Sequence, residues 1–349
     1  MALTFLVPGR LDQLTGGYLY DRHIIEGLRA LGQAVNVVEL AGRYPQADEP
    51  TRTLAAAALA RLPDRSTVII DGLALPGVAD CLRDQASRLN LVGLIHHPLS
   101  LETGLDAANA RHYAQLEAAL WPCLKGAICP SKHTAQALRA AGLPTDRVAV
   151  VTPGTHRPTT IRQAKSEGPL QLLAVGSVTP RKGHLLLVDA LAQLRHLDWQ
   201  LTCIGSLTRD PAASAALQER MATHGLTHRI ALLGEQPDQR LTEAYQRADI
   251  FVLPSYHEGY GMVFAEALAH ALPVIATTAC AIAATLPADA ALVVAPGDLP
   301  ALRDALQQAL TDGALRARLS NAAEQAASAL PDWDSAVQAW VAALNKVSR

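Results

Sequence analysis

No C-x-x-C pair and no cysteine cluster occurs in this chain: Cys81, Cys123, Cys129, Cys203 and Cys280 are scattered along it. Paired-thiol chemistry is thereby excluded, and the five read as small buried hydrophobes of a reducing compartment. Blocks of like charge are also missing, and the formal net charge is only −2. Nucleic acid as the main partner is excluded on that ground, since phosphate-backbone binding needs clustered Lys and Arg. No apolar run approaches the length that spans a bilayer. The N-terminal MALTFLVP lacks a charged leader and a small-residue cleavage site, so it reads as a first strand and not a signal peptide. A cytoplasmic protein without a transmembrane segment is expected, with peripheral contact to a membrane surface left open. Metal patterns are lacking too. The histidines are dispersed, with no H-E-x-x-H among them, and the one D-x-D, Asp332 to Asp334, follows Pro331 at the start of a helix. There Asp334 with Ser335 reads as a cap and first turn. Neither a metal nor a cofactor is implied.

What the chain does have is length and apolar material. Its 349 residues are too many for one ordinary core, and half of them are hydrophobic. Short apolar runs alternate with longer amphipathic segments, the pattern of α/β proteins with parallel sheets. In the first half, strands are expected at Leu3–Val7, Ala34–Leu40, Val68–Ile70, Leu91–Ile95, Ala127–Cys129 and Val148–Val151. After a Pro/Gly/Thr-rich linker beginning at Thr152, the alternation restarts. Strands are expected at Leu170–Val175, Gln200–Ile204, Ile230–Leu233, Ile250–Leu253, Pro273–Ala276 and Leu292–Val294. Each half opens with an apolar strand, a glycine-containing loop and a helix, with Gly16 and Gly17 in the first and Gly176 to Gly183 in the second. In doubly wound sheets such loops emerge at the carboxyl ends of the strands, where ligands sit.

The most informative stretch is 253–276, LPSYHEGYGMVFAEALAHALPVIA. A strand runs into a glycine-punctuated loop carrying Glu258, and a helix starting near Gly261 or Met262 carries Glu266. A carboxylate in so apolar a helix needs a hydrogen-bonding partner. The helix start offers backbone N–H groups and a positive dipole end, a seat for a diphosphate. Carboxylates suit sugar hydroxyls, because one can accept from two of them. Arg181 and Lys182 stand just before a helix, where their charge opposes the helix dipole. That placement calls for a reason, and a leaving diphosphate supplies one. His96 and His97 follow the Leu91–Ile95 strand at its carboxyl end, and either can face a ligand there.

The stretch resembles the E-x(7)-E signature of family-four retaining glycosyltransferases, which have the type-B fold: α/β, two facing Rossmann-like domains. The resemblance implies that Glu258, with Gly259 and Tyr260 beside it, contacts the donor sugar, and that Glu266 holds the ribose. VGSVTPRKG at 175–183 is similar to that family's diphosphate-binding loop, which implies this role for Arg181 and Lys182. The glycine loop at Gly16 and Gly17 and the helix start at Gly261 and Met262 join them. Glu235 and Gln236 fall where the family has its base-binding turn, and the histidine pair where it has a histidine reaching toward the donor sugar. Two departures stand out: Ser177 replaces a frequent arginine, and 278–284 lacks the usual glycine-rich turn and acidic residue.

The expected organisation is an acceptor domain at 1–155, a donor domain at 156–330 and a helix at 331–349 crossing back to the N-domain. The expected activity is retaining, metal-independent transfer of a hexosyl group from a UDP- or GDP-linked sugar, a substrate and not a cofactor, to an unidentified acceptor. The alternatives are an epimerase or hydrolase on the same fold, or a non-catalytic nucleotide-sugar-binding accessory protein.

Overall fold

The computed structural model describes residues 3–158, 168–279, 281–282 and 286–348. Part of the expected linker, Cys280 and part of the 278–284 segment lie outside those residues. The chain divides into two compact units, Met1–Gly154 with Pro331–Arg349, and Thr155–Leu330.

The first unit is a six-stranded parallel sheet built from β1 (Leu3–Pro8), β2 (Val35–Leu40), β3 (Thr67–Asp71), β4 (Asn90–Leu94), β5 (Gly126–Cys129) and β6 (Val148–Val150). Its helices are α1 (Gly16–Ala30), α2 (Glu49–Ala60), α3 (Leu75–Ala86), α4 (Ala107–Leu120) and α5 (Lys132–Ala140). β1 is buried at every position, as a central strand covered on both faces must be. The strand order is β2-β1-β3-β4-β5-β6. Connections therefore leave β1 and β3 toward opposite sides, opening a crevice at their carboxyl ends.

The C-terminal helix belongs to this unit. It runs Trp333–Val347, and its Trp340 is fully buried and stacked on Phe5 of β1 at 5.5 Å. Val337 packs so closely on α1 that a Cβ at Gly27 would meet it at 2.3 Å. The helix start corrects the expected cap: Asp332, not Asp334, accepts the Ser335 N–H at 2.8 Å, and Asp334 lies in the first turn.

The second unit is again six-stranded and parallel: β7 (Leu170–Val175), β8 (Trp199–Ile204), β9 (Ile230–Leu232), β10 (Ile250–Val252), β11 (Val274–Thr277) and β12 (Ala291–Val294). Between and after them come α6 (His184–Ala192), α7 (Pro211–Thr223), α8 (Asp238–Arg247), α9 (Met262–Ala269), α10 (Leu299–Thr311) and α11 (Gly313–Ala327). The order β12-β11-β10-β7-β8-β9 is the Rossmann arrangement, with the reversal between β7 and β10. The basic loop leaves β7 and the glutamate segment leaves β10, so the topology puts both at one crevice.

Most helices close their N-termini with a side chain. Asp48, Asp106, Ser131, Asp210, Asp298 and Asp312 each accept a first-turn N–H of α2, α4, α5, α7, α10 and α11. The helices after the loops of interest do not. α1, α6 and α9 begin at Thr15, Gly183 and Gly261 with no side-chain cap.

Candidate functional site

In the second unit the loop after β7 and the segment after β10 are joined by four contacts. Arg181 O accepts the Tyr256 N–H at 2.7 Å. Arg181 Nη1 donates to His257 O at 3.0 Å. Lys182 Nζ donates to Glu258 Oε1 at 2.6 Å, with Arg181 Nη1 3.6 Å from Glu258 Oε2. Gly183 completes the joint: its φ of +72° is left-handed, and a Cβ there would come within 2.1 Å of Pro254 O. Only glycine lets the two backbones approach so closely.

Glu258 is buried and takes a further hydrogen bond from Ser255 Oγ at 2.7 Å. Burial by itself raises its carboxyl pKa. The charges of Lys182 and Arg181, with the hydrogen bonds from Lys182 and Ser255, outweigh that and hold it below the ordinary value. Two cations and one carboxylate leave a net positive site, beside the uncapped start of α9 at Gly261 and Met262. Such a place attracts an anion.

Glu266 finds its partner in a tyrosine. Tyr245, fully buried on α8, donates its hydroxyl to Glu266 Oε2 at 2.8 Å and stacks on His270 at 4.9 Å. Burial raises the Glu266 pKa, against the lowering effect of the Tyr245 hydrogen bond. Tyr260, next to Gly259, is buried, and burial brings its hydroxyl to about 12. Glu235 is exposed in the turn after β9, and Gln236 Nε2 folds back onto Leu233 O at 2.6 Å. That turn is tied to the loop after β8 by the Gly205 N–H, which donates to Gly234 O at 2.9 Å. A Cβ at Gly205 would meet Gly176 O at 2.2 Å, so three successive strand ends meet through glycines. Gly205 escaped the reading of the sequence, although the glycine closing an apolar strand was a usable signal.

The histidine pair lies in the first unit, and its members separate. His96 Nε2 is 3.0 Å from Asp21 Oδ1 and 3.9 Å from Asp71 Oδ2. His97 Nε2 instead meets Glu102 Oε2 at 2.8 Å. Gly17, in the first turn of α1, lies against the His96 ring, where a Cβ would sit 3.1 Å from Cδ2. Asp21 and Asp71 were not anticipated: Asp21 beside Arg22 has the look of a helix surface residue. With His96 they form the one trio of metal-competent side chains found among the described residues, with donor atoms within 4.8 Å. His224 and His228 stand four apart but share no helix face, because α7 ends at Thr223 and His224 bonds Asp189 at 2.9 Å. Of the described cysteines, Cys129 and Cys203 are buried as expected, and burial pushes both thiols to about 12, whereas Cys81 and Cys123 are only half-buried. Among the described residues no helix is long and apolar enough to cross a membrane.

The chain thus holds two parallel Rossmann-like units, the second with a cationic loop facing a glutamate-bearing helix start. Residues 157–326 match the family described as Glycosyl transferases group 1. It is 32% identical over 160 residues to the D-inositol 3-phosphate glycosyltransferase of Nocardia farcinica, a stretch covering 42% of this chain and 36% of the relative. The chain thus spans less than half the length of that curated relative. Among solved structures, sucrose-phosphate synthase from Thermosynechococcus elongatus shares the fold with a TM-score of 0.82 at 21% identity, over 99% of this chain and 98% of the other. HepE of Anabaena, solved in complex with UDP-glucose, does so with a TM-score of 0.77 at 19% identity, over 99% of each chain.

Proposed function

We propose that this chain is a retaining, metal-independent glycosyltransferase that moves a hexosyl group from a UDP- or GDP-linked sugar to an acceptor hydroxyl. The observation that carries the reading is the Lys182–Glu258 pair at the β7/β10 crevice, because it brings the basic loop and the glutamate segment into one site. Arg181 and Lys182, with the N–H groups at Gly261 and Met262, bind the donor diphosphate. Glu266, steadied by Tyr245, accepts from the ribose. Glu258, with Gly259 and Tyr260, meets the sugar, and the turn at Glu235 and Gln236 meets the base. His96 donates to a substrate oxygen. HepE, bound to UDP-glucose, supports a nucleotide-sugar donor of this kind.

In the reaction the bond between the anomeric carbon and the phosphate oxygen breaks, and a bond from the acceptor oxygen forms on the same face. The acceptor proton passes to the departing phosphate oxygen. Charge developing on the diphosphate is met by Arg181, Lys182 and the start of α9 without a divalent ion. The transfer takes place in the cytoplasm, where nucleotide sugars are available.

Incubation with radiolabelled UDP- and GDP-sugars, with and without candidate acceptors, tests the reading. Release of nucleoside diphosphate with label appearing in an acceptor is expected. An epimerised donor, or binding with no turnover under any pairing, would replace it with one of the rival activities.

A further inference from the structure

Three ionisable side chains of the first unit converge at the carboxyl end of its sheet. Asp21 projects from α1, Asp71 ends β3 and His96 follows β4. Asp21 is fully buried and Asp71 nearly so. Neither carboxylate is paired with a Lys or Arg among the described residues; the basic group beside both is the His96 ring. Asp71 Oδ1 accepts the Leu73 N–H at 2.7 Å, which turns Oδ2 toward the other two groups. Asp21 Oδ2 is buried without a hydrogen-bond partner among the described residues.

The arrangement constrains the protons. Two buried carboxylates side by side resist ionising together, and a buried negative charge needs a compensating one. At 3.0 Å a hydrogen lies between His96 Nε2 and Asp21 Oδ1, and with Asp21 ionised Nε2 is the donor. The ring is held on its other sides as well. Gly17 leaves room for it, and the Tyr20 ring meets it edge-on at 5.6 Å. Tyr20 spends its hydroxyl on Val151 O at 3.1 Å. The remaining nitrogen, Nδ1, has no partner among the described residues, and the side chain is 21% exposed.

We propose that Asp21 and Asp71 are positioning residues that share a proton, hold the His96 ring with Nε2 inward and keep it cationic, so that Nδ1 presents an N–H to a substrate oxygen. His96 then acts as a hydrogen-bond donor and not as a general base. The directions of titration agree. Burial lowers the His96 pKa, but the charge and hydrogen bond of Asp21, with the charge of Asp71, overcome this and bring it to about 9. Burial and the neighbouring Asp21 raise Asp71 to about 7. Among the described residues, the other titratable groups here are Tyr20 on α1, against the His96 ring, and Cys129 on β5, which acts on Tyr20; burial keeps both neutral. The ring's charge stands on the geometry alone; its use toward substrate rests on the transfer reading above.

The test uses the full chain with ¹⁵N-labelled histidine, His96 being assigned by its loss in His96→Gln. Long-range proton–nitrogen spectra report the hydrogen on each ring nitrogen. At about pH 7.5 both nitrogens of His96 are expected to be protonated, and in Asp21→Asn the ring is expected to become neutral. A neutral wild-type ring, or an Asp21→Asn ring that stays cationic, overturns the proposal. So does a stoichiometric divalent metal found by elemental analysis in the wild type and lost in Asp21→Asn, since a cation would then take the place of the proton. Asp71→Asn is a second variant, expected to lower the pH at which the ring loses its charge; an unchanged titration removes Asp71 from the device. In turnover, Asp21→Asn should lower kcat by about ten- to a hundredfold, the worth of a charged hydrogen bond, with the donor KM little changed and partial rescue by Asp21→Glu. If no donor turns over in the wild type, the transfer reading fails while the spectra still decide the ring's charge.

Discussion

Lys182 Nζ lies 2.6 Å from Glu258 Oε1, across 76 residues of sequence. A cation assigned to the donor diphosphate and a carboxylate assigned to the donor sugar therefore neutralise each other. Both are largely buried, with side-chain exposures of 12% and 6%. Breaking such a pair leaves an uncompensated buried charge. On the proposed reading, a diphosphate bound at Lys182 and Arg181 would bring a replacement counter-charge and leave Glu258 available to a sugar hydroxyl.

That exchange predicts a stability effect with a ligand signature. Glu258→Ala is expected to destabilise the ligand-free protein by about 3–5 kcal/mol. Saturating nucleoside diphosphate should recover more of the melting temperature in the variant than it adds to the wild type. Equal shifts in calorimetry would show that the diphosphate does not take over the Glu258 contact.

Removing the cations has the opposite readout. Lys182→Ala and Arg181→Ala are each expected to weaken nucleoside-diphosphate binding by about 1.5–3 kcal/mol, the range for charged hydrogen bonds. Isothermal titration checks this, and unchanged affinity in the double variant removes the phosphate role.

Glu266 and Tyr245 should behave as one unit toward free nucleotide. Glu266→Ala is expected to weaken it, and Tyr245→Phe to do so less, since the phenyl ring keeps the stacking on His270 and loses only the hydroxyl donor. A Tyr245→Phe loss larger than that of Glu266→Ala in titration would show that the hydroxyl serves something other than this carboxylate.

The pH dependence of stability follows from Glu258. Its carboxyl pKa is depressed in the folded state, so its contribution is complete above the unfolded value of about 4.3. It is lost as pH falls through the folded value below that. Acid melts of the wild type should therefore steepen below about pH 4.3 relative to Glu258→Gln. Parallel curves would mean the pair adds no net stability.

The chemical course is the remaining expectation. From an α-linked donor the first-formed product should be α-linked by proton NMR, and EDTA should leave the rate unchanged. A β-linked product, or a rate abolished by EDTA and restored by Mg²⁺, would refute the proposed mechanism.

Much of the fold was legible in the sequence because strands buried on both faces announce themselves as short apolar runs. β7 runs over the expected residues, and the other strand ends move by a residue or so. The glutamate segment and the basic loop were legible for a different reason: charged residues among glycines at strand ends, and a carboxylate inside an apolar helix, break the local pattern. Asp21 breaks no pattern. It stands beside Arg22 on an amphipathic helix, and only the arrival of His96 and Asp71 from β4 and β3 makes it a buried group.

The sequence by itself determined the alternation of strands and helices, the candidate anion site and the absence of long apolar spans, since each is a matter of local composition and spacing. Strand order was decided by tertiary structure, because apolar parallel strands look alike and only packing of their crossovers distinguishes β2-β1-β3 from β10-β7-β8. So were the partners. Lys182 with Glu258, Tyr245 with Glu266 and His96 with Asp21 are separated by 76, 21 and 75 residues. A charge's partner at such separations is chosen by where the backbone brings it, and by the cost of leaving it buried alone.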